Sequence, residues 1–559
     1  MNYPYENFDT FTLPKLLERS VKLYGERPLS AKVGQEPMSY AEFDYKVTQM
    51  AKLLQENGIQ KGDRVALLAE NMPHWGVAYF AITSFGAVVV PILVDFHAND
   101  VHHILKHAEV KAIFVSQKHL QTIEEYEGKN LLFGIELDSL TLLEQLTNKD
   151  YLTTLKQKAK EQFDKLTNQQ KEVLQEDIAA IIYTSGTTGH SKGVMLSHKN
   201  LVTNAMSAYI QVKIYPEDSF LSILPLAHTF ECTVGLIIPI LHGSSVYYIQ
   251  KAPTPSVLLK AFNEVKPTMM VSVPLIIEKI YKSKILPNLT SNAFLKFLYK
   301  ISFFRKILNK KAGQKMIDTF GGRLRFYGIG GAKLATYVEE FLIEADFPYI
   351  IGYGLTETSP LIAGSILGGK KKLGSTGVAM AGVEIMIDKE DENAHEGEIL
   401  VKSPSVMMGY YKDEKQTQEV IQNGWFKTGD LGYLDNEGYL FISGRSKNVI
   451  IGPAGENIYP EQIESHINKN EFVADALVLE QDGKLIARIH LDYDLIDKKF
   501  GTKNLTEPQI KEKIDELLEQ MRLELNNNVS SFSKVTKFIE QREAFIKTPT
   551  KKIKRYLYT

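Results

Sequence analysis

Residues 183–194 concentrate hydroxyl, glycine and lysine side chains in one short stretch, directly after the apolar run 178–182. They read Tyr-Thr-Ser-Gly-Thr-Thr-Gly-His-Ser-Lys-Gly-Val. Glycines let a backbone turn sharply so that its amides approach phosphate oxygens, while hydroxyls and a lysine add donors and positive charge. A strand followed by such a loop predicts a site for a nucleoside triphosphate. Taken alone, the same stretch would also suit a surface turn.

The order of these residues differs from that of the Walker A loop. That loop requires glycine, then lysine, then serine or threonine. Here Lys192 follows Ser191 and precedes Gly193, so the chemistry of kinases and GTPases does not transfer.

Seven further stretches place chemically capable residues in order along the chain. They are 224–231 (Leu-Pro-Leu-Ala-His-Thr-Phe-Glu), 327–332 (Tyr-Gly-Ile-Gly-Gly-Ala), 352–358 (Gly-Tyr-Gly-Leu-Thr-Glu-Thr), 425–432 (Trp-Phe-Lys-Thr-Gly-Asp-Leu-Gly), 444–451 (Gly-Arg-Ser-Lys-Asn-Val-Ile-Ile), 452–460 (Gly-Pro-Ala-Gly-Glu-Asn-Ile-Tyr-Pro) and 546–555 (Ile-Lys-Thr-Pro-Thr-Lys-Lys-Ile-Lys-Arg). A carboxylate suits a hard cation on phosphate oxygens, a tyrosine ring suits a purine, and a carboxylate can accept from both ribose hydroxyls.

Each stretch also has a plainer interpretation when it is taken singly. His228 would be a core or surface histidine, Thr356 and Glu357 a capping or surface pair, and Arg445 a solvated arginine. Residues 452–460 would be an ordinary turn and residues 546–555 a basic tail.

Together and in this order, the eight stretches resemble the signatures of the adenylate-forming superfamily, which includes acyl-CoA synthetases, luciferases and the adenylation domains of peptide synthetases. The resemblance extends from about residue 38 to the C-terminus, and residues 224–231 have the form typical of long-chain acyl-CoA synthetases. It implies that ATP and Mg²⁺ convert a long-chain fatty acid to acyl-AMP and pyrophosphate, and that CoA, as co-substrate, then displaces AMP.

The resemblance implies a role for individual residues. Phosphate contacts would come from Thr184, Ser185, Gly186, Thr187, Thr188, Gly189 and Lys192; adenine and ribose contacts from Gly330, Gly331, Ala332, Tyr353, Gly354, Asp430 and Arg445. The catalytic residues would be Thr356 at the α-phosphate, Glu357, His228 near the acyl carboxylate, and Lys552 bridging carboxylate and phosphate. Thr184 and Glu357 would hold Mg²⁺, Lys447 would be the hinge, and Gly455 and Asn457 would line the CoA channel.

The C-terminal stretch departs from the pattern of the superfamily at two positions. The pattern Pro-Lys-Thr-x-x-Gly-Lys-x-x-Arg aligns Lys552 with the catalytic lysine, but Ile546 replaces the proline and Lys551 replaces the glycine. Lys551 is therefore the rival candidate. In the phosphate loop, His190 and Ser191 stand where many relatives have a residue followed by proline, which we expect to alter the stiffness of the loop and not its role.

Two rival functions remain open at this point. One is a ligase of the same fold that acts on another carboxylic acid, such as an aryl acid, or that loads an acyl carrier protein. The other, from a different class, is a non-catalytic, nucleotide-responsive membrane protein. The presence of Lys552, Glu357 and Asp430 argues against the second.

The elements that position these residues predict an α/β fold with two domains. Up to about residue 440, helical patterns alternate with β-branched runs such as 64–68, 112–115 and 269–273. After Gly444, a hairpin about Asp482-Gly483 and a helix capped by Thr506 indicate a smaller α+β unit. We therefore predict a large, multi-layer adenylating N-terminal domain over 1–445 and a small mobile C-terminal lid domain over 446–559, with polar residues 150–176 forming a helical connector.

Composition excludes several classes of protein. The 65 basic and 67 acidic residues argue against a nucleic-acid partner. The single cysteine, Cys232, excludes intramolecular disulfides and a cysteine-based zinc cluster, and it fits the cytoplasm. The first 20 residues lack an apolar segment, so we expect no secretory signal. The chain could be a monomer or a homodimer.

Two apolar segments bear on membrane contact. The run 77–94 is of membrane-spanning length, but Ser84, Gly86 and Pro91 within it favour a buried helix, turn and strand. The segment 294–315 interleaves phenylalanine and leucine with lysine and arginine, which would suit either an interfacial helix on the inner face of a membrane or a helix packed on the protein body. The acyl tunnel is expected around 230–239, 271–275 and 328–331.

Overall fold

The computed structural model describes residues 5, 8–146, 172–184, 191–389, 391, 393–451, 457–501, 505–548 and 552–558. The strands in the first 200 residues are β1 (Pro28–Lys32), β2 (Met38–Ser39), β3 (Arg64–Leu68), β4 (Val88–Ile92), β5 (Ala112–Val115), β6 (Phe133–Glu136), β7 (Thr141–Leu143), β8 (Ile178–Thr184) and β9 (Lys192–Ser197). Those from 201 to 451 are β10 (Ser219–Ser222), β11 (Ser245–Tyr248), β12 (Met269–Ser272), β13 (Phe326–Ile329), β14 (Tyr349–Gly354), β15 (Leu361–Gly364), β16 (Ser375–Ala379), β17 (Glu384–Asp388), β18 (Gly397–Lys402), β19 (Gly409–Tyr410), β20 (Ile421–Gln422), β21 (Trp425–Leu434), β22 (Leu440–Arg445) and β23 (Ile450–Ile451). The remaining strands are β24 (Asn457–Ile458), β25 (Val473–Gln481), β26 (Lys484–Leu491) and β27 (Lys537–Glu540).

Two large sheets carry the part of the chain before β23. One has 14 strands in the order β17-β18-β21-β22-β16-β15-β14-β13-β12-β10-β11-β1-β2, with β20 paired to β21. The other has eight, in the order β19-β9-β8-β4-β3-β5-β6-β7. The middle of each sheet is parallel: β12 pairs with β13 and β13 with β14, and β3 pairs with β4 and β5. Parallel strands are covered on both faces, which explains why every residue of β4, β12 and β13 is buried.

Helices cover these sheets. In the first 250 residues they are Leu13–Tyr24, Tyr40–Glu56, Pro73–Thr83, Ala98–His107, Leu120–Glu124, His198–Ser207, Thr229–Cys232 and Ile238–His242. Then follow Pro255–Val265, Pro274–Ile280, Leu286–Leu289, Ala293–Lys300, Ser302–Thr319, Thr336–Glu344 and Glu414–Val420. The C-terminal helices are Pro460–Ile467, Tyr493–Phe500 and Glu507–Asn526. The largest core lies around buried Trp75, Phe80, Phe220 and Ile237.

The apolar run 77–94 is a buried helix, turn and strand, as its sequence predicts. The helix Pro73–Thr83 leads through Gly86, at a φ of 82°, into β4, whose five residues are all buried. Among the described residues, the structure has no helix that is long and apolar enough to cross a membrane.

The smaller unit follows a short turn at Ser446–Asn448, immediately after β22. The predicted hairpin is confirmed: β25 and β26 are joined by Asp482 and Gly483, both with positive φ, as a tight hairpin turn requires. The helix Glu507–Asn526 begins after Thr506, which forms a capping box with Gln509. The α/β class with a large N-terminal and a small C-terminal domain is therefore confirmed, while most of the predicted connector at 150–176 lies outside the described residues.

Candidate active site

Asp430 lies buried between two partners at the edge of the cleft between the large and the small domain. It sits on β21 directly opposite Arg445 on β22, so that Arg445 Nε is 2.8 Å from Asp430 Oδ1. The Tyr353 hydroxyl donates to Asp430 Oδ2 at 2.6 Å. Burial raises the pKa of Asp430, and the Arg445 guanidinium opposes that rise. Because a carboxylate offers about four acceptor positions, room remains for ribose hydroxyls.

The residues predicted to meet adenine lie at the adjacent ends of β13 and β14. These strands are parallel neighbours, so their carboxyl ends bring residues 330–332 beside Tyr353 and Gly354. Gly331 has a φ of 84°, in the region that favours glycine. The Tyr353 hydroxyl bond to Asp430 links the predicted adenine and ribose residues, a connection that the two motifs did not reveal.

The flanks of the phosphate loop are the two ends of a hairpin. Thr184 ends β8 and Lys192 begins β9, and the two residues pair in register. Lys192 Nζ lies 5.5 Å from the centroid of the Tyr410 ring. Burial, and then the charge of Lys447, lower the pKa of Lys192. The predicted contacts Ser185, Gly186, Thr187, Thr188 and Gly189 lie outside the described residues.

Glu357 is held next to this hairpin by Tyr410. Glu357 lies in the short turn Thr356–Thr358, and Tyr410 Oη donates to its Oε1 at 3.0 Å. Tyr410 belongs to β19, the edge strand paired with β9. Within the described part of the chain, no group of three or more histidine, cysteine or acidic residues could hold a metal. The single carboxylate of Glu357 fits Mg²⁺, because proteins commonly hold this ion by one or two carboxylates together with substrate phosphates.

His228 is a neutral histidine at the start of the helix Thr229–Cys232. The Phe230 backbone N–H donates to its Nδ1 at 3.2 Å, which leaves the ring proton on Nε2. Burial, followed by the positive charge of Lys552, lowers the pKa of His228 to about 4. At neutral pH this side chain therefore acts as a hydrogen-bond donor and carries no charge.

Lys552 reaches the same cleft from the small domain. Its side chain is exposed to the cleft, but the surrounding protein limits its hydration, and this effect and the Arg445 guanidinium lower the pKa of Lys552. The carboxylates of Asp430 and Glu357 attract it and oppose that shift. Lys552 therefore lies near four other predicted residues, which are His228, Glu357, Asp430 and Arg445. Its rival Lys551 lies outside the described residues.

An apolar cavity of about 50 Å³ has Phe230, two residues after His228, in its wall. It is lined by Ala208, Gln211, Val212, Ile214, Phe220, Phe230, Val234, Ile238, Met269, Phe326, Gly328, Ile329, Ile350, Gly352, Leu361, Ala363, Gly364 and Met380. Two of the three expected segments, around 230–239 and 328–331, contribute to it. Residues 271–275 do not line this cavity, whose wall from β12 is Met269, so their part in an acyl tunnel stays a prediction.

The predicted hinge and CoA residues are only partly described. Lys447 is exposed in the turn Ser446–Asn448, and Asn457 is exposed in β24. Gly455 lies outside the described residues. Sequence reasoning missed Tyr410, since a tyrosine in a two-residue edge strand carries no local signal of a partner more than 50 residues away.

The chain is similar to known proteins over most of its length. Residues 17–411 match the AMP-binding enzyme family. The chain is 29% identical to long chain acyl-CoA synthetase 7, peroxisomal, of Arabidopsis thaliana, over 93% of this chain and 79% of that protein. It is 28% identical to a long-chain-fatty-acid–CoA ligase of Bacillus subtilis, over 84% of this chain and 82% of that one.

Solved structures share the fold. The anthranilate CoA ligase AuaEII in complex with anthranoyl-AMP superposes with a TM-score of 0.76 at 20% identity, covering 98% of this chain and 96% of that one. The o-succinylbenzoate CoA synthetase of Bacillus subtilis in complex with ATP and magnesium ion has a TM-score of 0.72 at 24% identity, covering 97% and 98%. A family match over most of the chain shows that this protein belongs to the AMP-binding enzymes, the adenylate-forming superfamily that its sequence predicted.

Proposed function

We propose that this protein activates a long-chain fatty acid with ATP and transfers the acyl group to CoA. The observation that carries the proposal is the position of His228 between an apolar cavity and a group of charged residues. On one side Phe230 lines an apolar cavity, and on the other Lys552 lies beside Asp430 and Glu357. An apolar cavity wall suits an acyl chain, and long-chain acyl-CoA synthetases are among the relatives.

The first step joins the fatty acid carboxylate to the α-phosphorus of ATP and breaks the bond to the β-phosphate oxygen, so pyrophosphate leaves. The Lys552 ammonium holds the two negatively charged groups together, and Thr356 donates to the α-phosphate. Mg²⁺ held by Glu357, and in the predicted set by Thr184, would supply charge neutralisation on the phosphates. Asp430 and Arg445 orient the ribose.

The second step forms a thioester bond to the sulfur of CoA and releases AMP. In this proposal the domain boundary at 445/446 separates a fixed body from a lid that turns about Lys447. Lys552 then withdraws, and the loop that contains Gly455 and Asn457 enters the cleft. The arrangement described above, with Lys552 in the cleft, corresponds to the first step.

A half-reaction assay tests the proposal. Lys552→Ala should fail to form acyl-AMP from ATP and fatty acid, because it loses a transition-state contact whose removal costs orders of magnitude in rate. It should still convert supplied acyl-AMP and CoA to acyl-CoA at a rate near that of the wild type. Lys551→Ala is the control and should keep both steps. The opposite pattern would shift the tail alignment by one residue, and an equal loss of both steps would contradict the alternating lid.

Substrate panels separate the rival ligases. Fatty acids of graded length, an aryl acid, and either CoA or an acyl carrier protein are supplied with ATP, and pyrophosphate release and thioester formation are followed. We expect turnover with long-chain acids and CoA. A preference for the aryl acid or the carrier protein would favour the alternative ligase, and absence of pyrophosphate release with any acid would favour the non-catalytic alternative.

We also propose that the paired helices Ala293–Lys300 and Ser302–Thr319 rest on an anionic membrane surface. Their outer face exposes Phe294, Phe297 and Phe303, each more than 60% accessible, together with exposed lysines. Large exposed aromatic side chains flanked by cations suit the interface of a bilayer that carries anionic lipids. The inner face packs on the body through residues such as Tyr299 and Leu308.

Arg305 is a basic residue of this segment that pairs within the protein and does not serve as a membrane-facing charge. Arg305 forms a two-pronged ion pair with Glu344 of the neighbouring helix, with Nη2 to Oε1 at 2.7 Å and Nε to Oε2 at 3.0 Å. It therefore anchors the helix pair, and the membrane test has to leave it intact.

Vesicle sedimentation tests the surface. Reversing Lys300 and Lys306 to glutamate should reduce binding to anionic vesicles while activity on detergent-dispersed substrate stays the same. Reversing two exposed lysines of the small domain, Lys511 and Lys534, changes the net charge equally and should leave binding unchanged. Equal binding by both variants would mean that the helix pair is not the membrane contact.

A further inference from the structure

The short helix Pro460–Ile467 of the small domain is fastened to the large domain at both ends. At its start, Tyr459 Oη donates to Glu396 Oε2 at 2.7 Å. At its end, the backbone carbonyl of Asn468 accepts from the Lys282 ammonium, which projects from the turn after the helix Pro274–Ile280. Between them, Gln462 Nε2 donates to the carbonyl of Ser443 at 3.2 Å. We call this set of contacts the clamp.

Gly444 and the segment that carries Glu396 form the surface of the large domain that contacts Tyr459. A Cβ atom on Gly444 would stand 2.8 Å from Cδ1 of Tyr459, so only glycine lets the ring approach β22 this closely. The segment that carries Glu396 is supported by the neighbouring His395, whose ring lies 4.2 Å from that of Tyr433. The His395 ring thus holds this segment against β21, where Glu396 accepts from Tyr459.

The clamped helix is in turn connected to Lys552. Glu464, on the same helix, is buried and accepts from Arg555 Nη2 at 2.5 Å, and Arg555 Nη1 donates to the Val478 carbonyl at 3.2 Å. Arg555 is three residues after Lys552. Thr548 also holds Lys552, because its N–H donates to the Lys552 carbonyl at 2.7 Å and its Oγ1 accepts from the Lys552 N–H at 3.1 Å. The position of Lys552 therefore follows the position of the helix.

We propose that Tyr459 with Glu396, and Lys282 with the Asn468 carbonyl, are positioning contacts that hold Lys552 in the cleft for acyl-AMP formation. The inference rests on the proposed function and adds the residues that select the pose of the small domain. None of them touches the reacting atoms. Each contact is a hydrogen bond to or from a charged group across the domain boundary, and such bonds are stronger than neutral ones. Losing one should lower the population of the adenylating pose.

The test measures each half-reaction in the full-length enzyme. Tyr459→Phe should slow acyl-AMP formation from fatty acid and ATP about tenfold. The rate of acyl-CoA formation from supplied acyl-AMP and CoA should stay at or above that of the wild type, because release of the clamp favours the other pose. Lys282→Met should show the same split.

Tyr493→Phe is the matched control. Its hydroxyl also donates to a glutamate, Glu540 Oε1 at 2.8 Å, but both residues belong to the small domain, so its loss should change neither half-reaction. Glu396→Gln keeps an acceptor oxygen and should retain more acyl-AMP formation than Glu396→Ala. The double variant Tyr459→Phe/Glu396→Ala should be no slower than Glu396→Ala alone, since the two residues act as one contact.

Three results would overturn the clamp: equal rates of acyl-AMP formation in Tyr459→Phe and Tyr493→Phe, an equal fall of both half-reactions, or additive losses in the double variant. Thermal midpoints show whether a variant is merely destabilised, and Lys282→Met provides an independent variant on the other end of the helix. Failure of the proposed function has a separate signature, because the wild type itself would then form no acyl-AMP from fatty acid and ATP.

Discussion

At the scale of single residues, the cleft places cations beside carboxylates. Lys552 and Arg445 face Asp430 and Glu357, and each anion is also oriented by a tyrosine hydroxyl, from Tyr353 or Tyr410. Hydroxyl donors of this kind fix the direction of a carboxylate and leave its other lone pairs for a ligand. The two tyrosines are therefore as much a part of the site as the charged residues.

The charge of Glu357 should matter more than its shape. Glu357→Gln keeps the hydrogen bond from Tyr410 but loses the negative charge that a hard cation requires. We expect pyrophosphate release at limiting Mg²⁺ to fall by at least about tenfold, while fatty acid binding changes little. Tyr410→Phe, which keeps the charge and loses only the orienting hydroxyl, should have a smaller effect. Pyrophosphate release like that of the wild type in Glu357→Gln at limiting Mg²⁺ would disprove the metal role.

At the scale of elements, the helix Thr229–Cys232 carries a cavity residue, Phe230, and next to it a buried acid, Glu231. Phe230 lines the cavity, while Glu231 is fully buried. Burial raises the pKa of Glu231 to about 8. A carboxyl group in this environment is neutral at pH 7. In the unfolded chain the same group ionises freely, so the free energy of unfolding falls as pH rises.

Glu231→Gln should therefore stabilise the protein in a pH-dependent manner. The carboxyl of the folded state titrates near pH 8 and that of the unfolded state near pH 4.5, so its cost is absent below pH 4.5 and complete above pH 8. The neutral amide avoids that cost. We expect the advantage of the variant to grow by on the order of 3 kcal/mol between pH 4.5 and pH 7. Denaturation midpoints measured across this range check it, and a difference independent of pH would show that Glu231 is already ionised.

At the scale of the whole molecule, three histidines are held neutral by burial in separate parts of the large domain. Burial lowers the pKa of His198, His228 and His242 to about 4 each. In the unfolded chain these groups bind protons below about pH 6.5. The stability that they contribute is therefore complete above pH 6.5 and is lost as pH falls towards 4.

His198 offers a test of this acid sensitivity outside the cleft. Its Nδ1 accepts from the Leu13 backbone N–H at 3.2 Å, a bond that a glutamine carbonyl can also accept. Lowering the pH from 7 to 5 should cost the wild type on the order of 2 kcal/mol more than His198→Gln. Thermal midpoints at the two pH values measure the difference. Parallel shifts in both proteins would mean that His198 is protonated in the fold.

Local sequence determined much of this protein because its strongest signals act over a few residues. The runs 64–68 and 112–115 became β3 and β5, Asp482 and Gly483 supplied the positive φ of their hairpin, and Thr506 capped its helix. Turn geometry, caps and hydrophobic periodicity depend on near neighbours, so they are legible in one dimension. The order of the motifs likewise identified the superfamily.

Tertiary structure alone decided which side chains meet across the fold. Tyr410 orients Glu357 over 53 residues of chain, Arg305 turns from a membrane-facing charge into a partner of Glu344, and Tyr459 finds Glu396 in another domain. The position of Met269 in the cavity wall is of the same kind. Such pairings depend on strand order, helix packing and domain placement, which no local pattern encodes. The sequence therefore identified the chemistry, and the three-dimensional arrangement determined how its groups are oriented, paired and held.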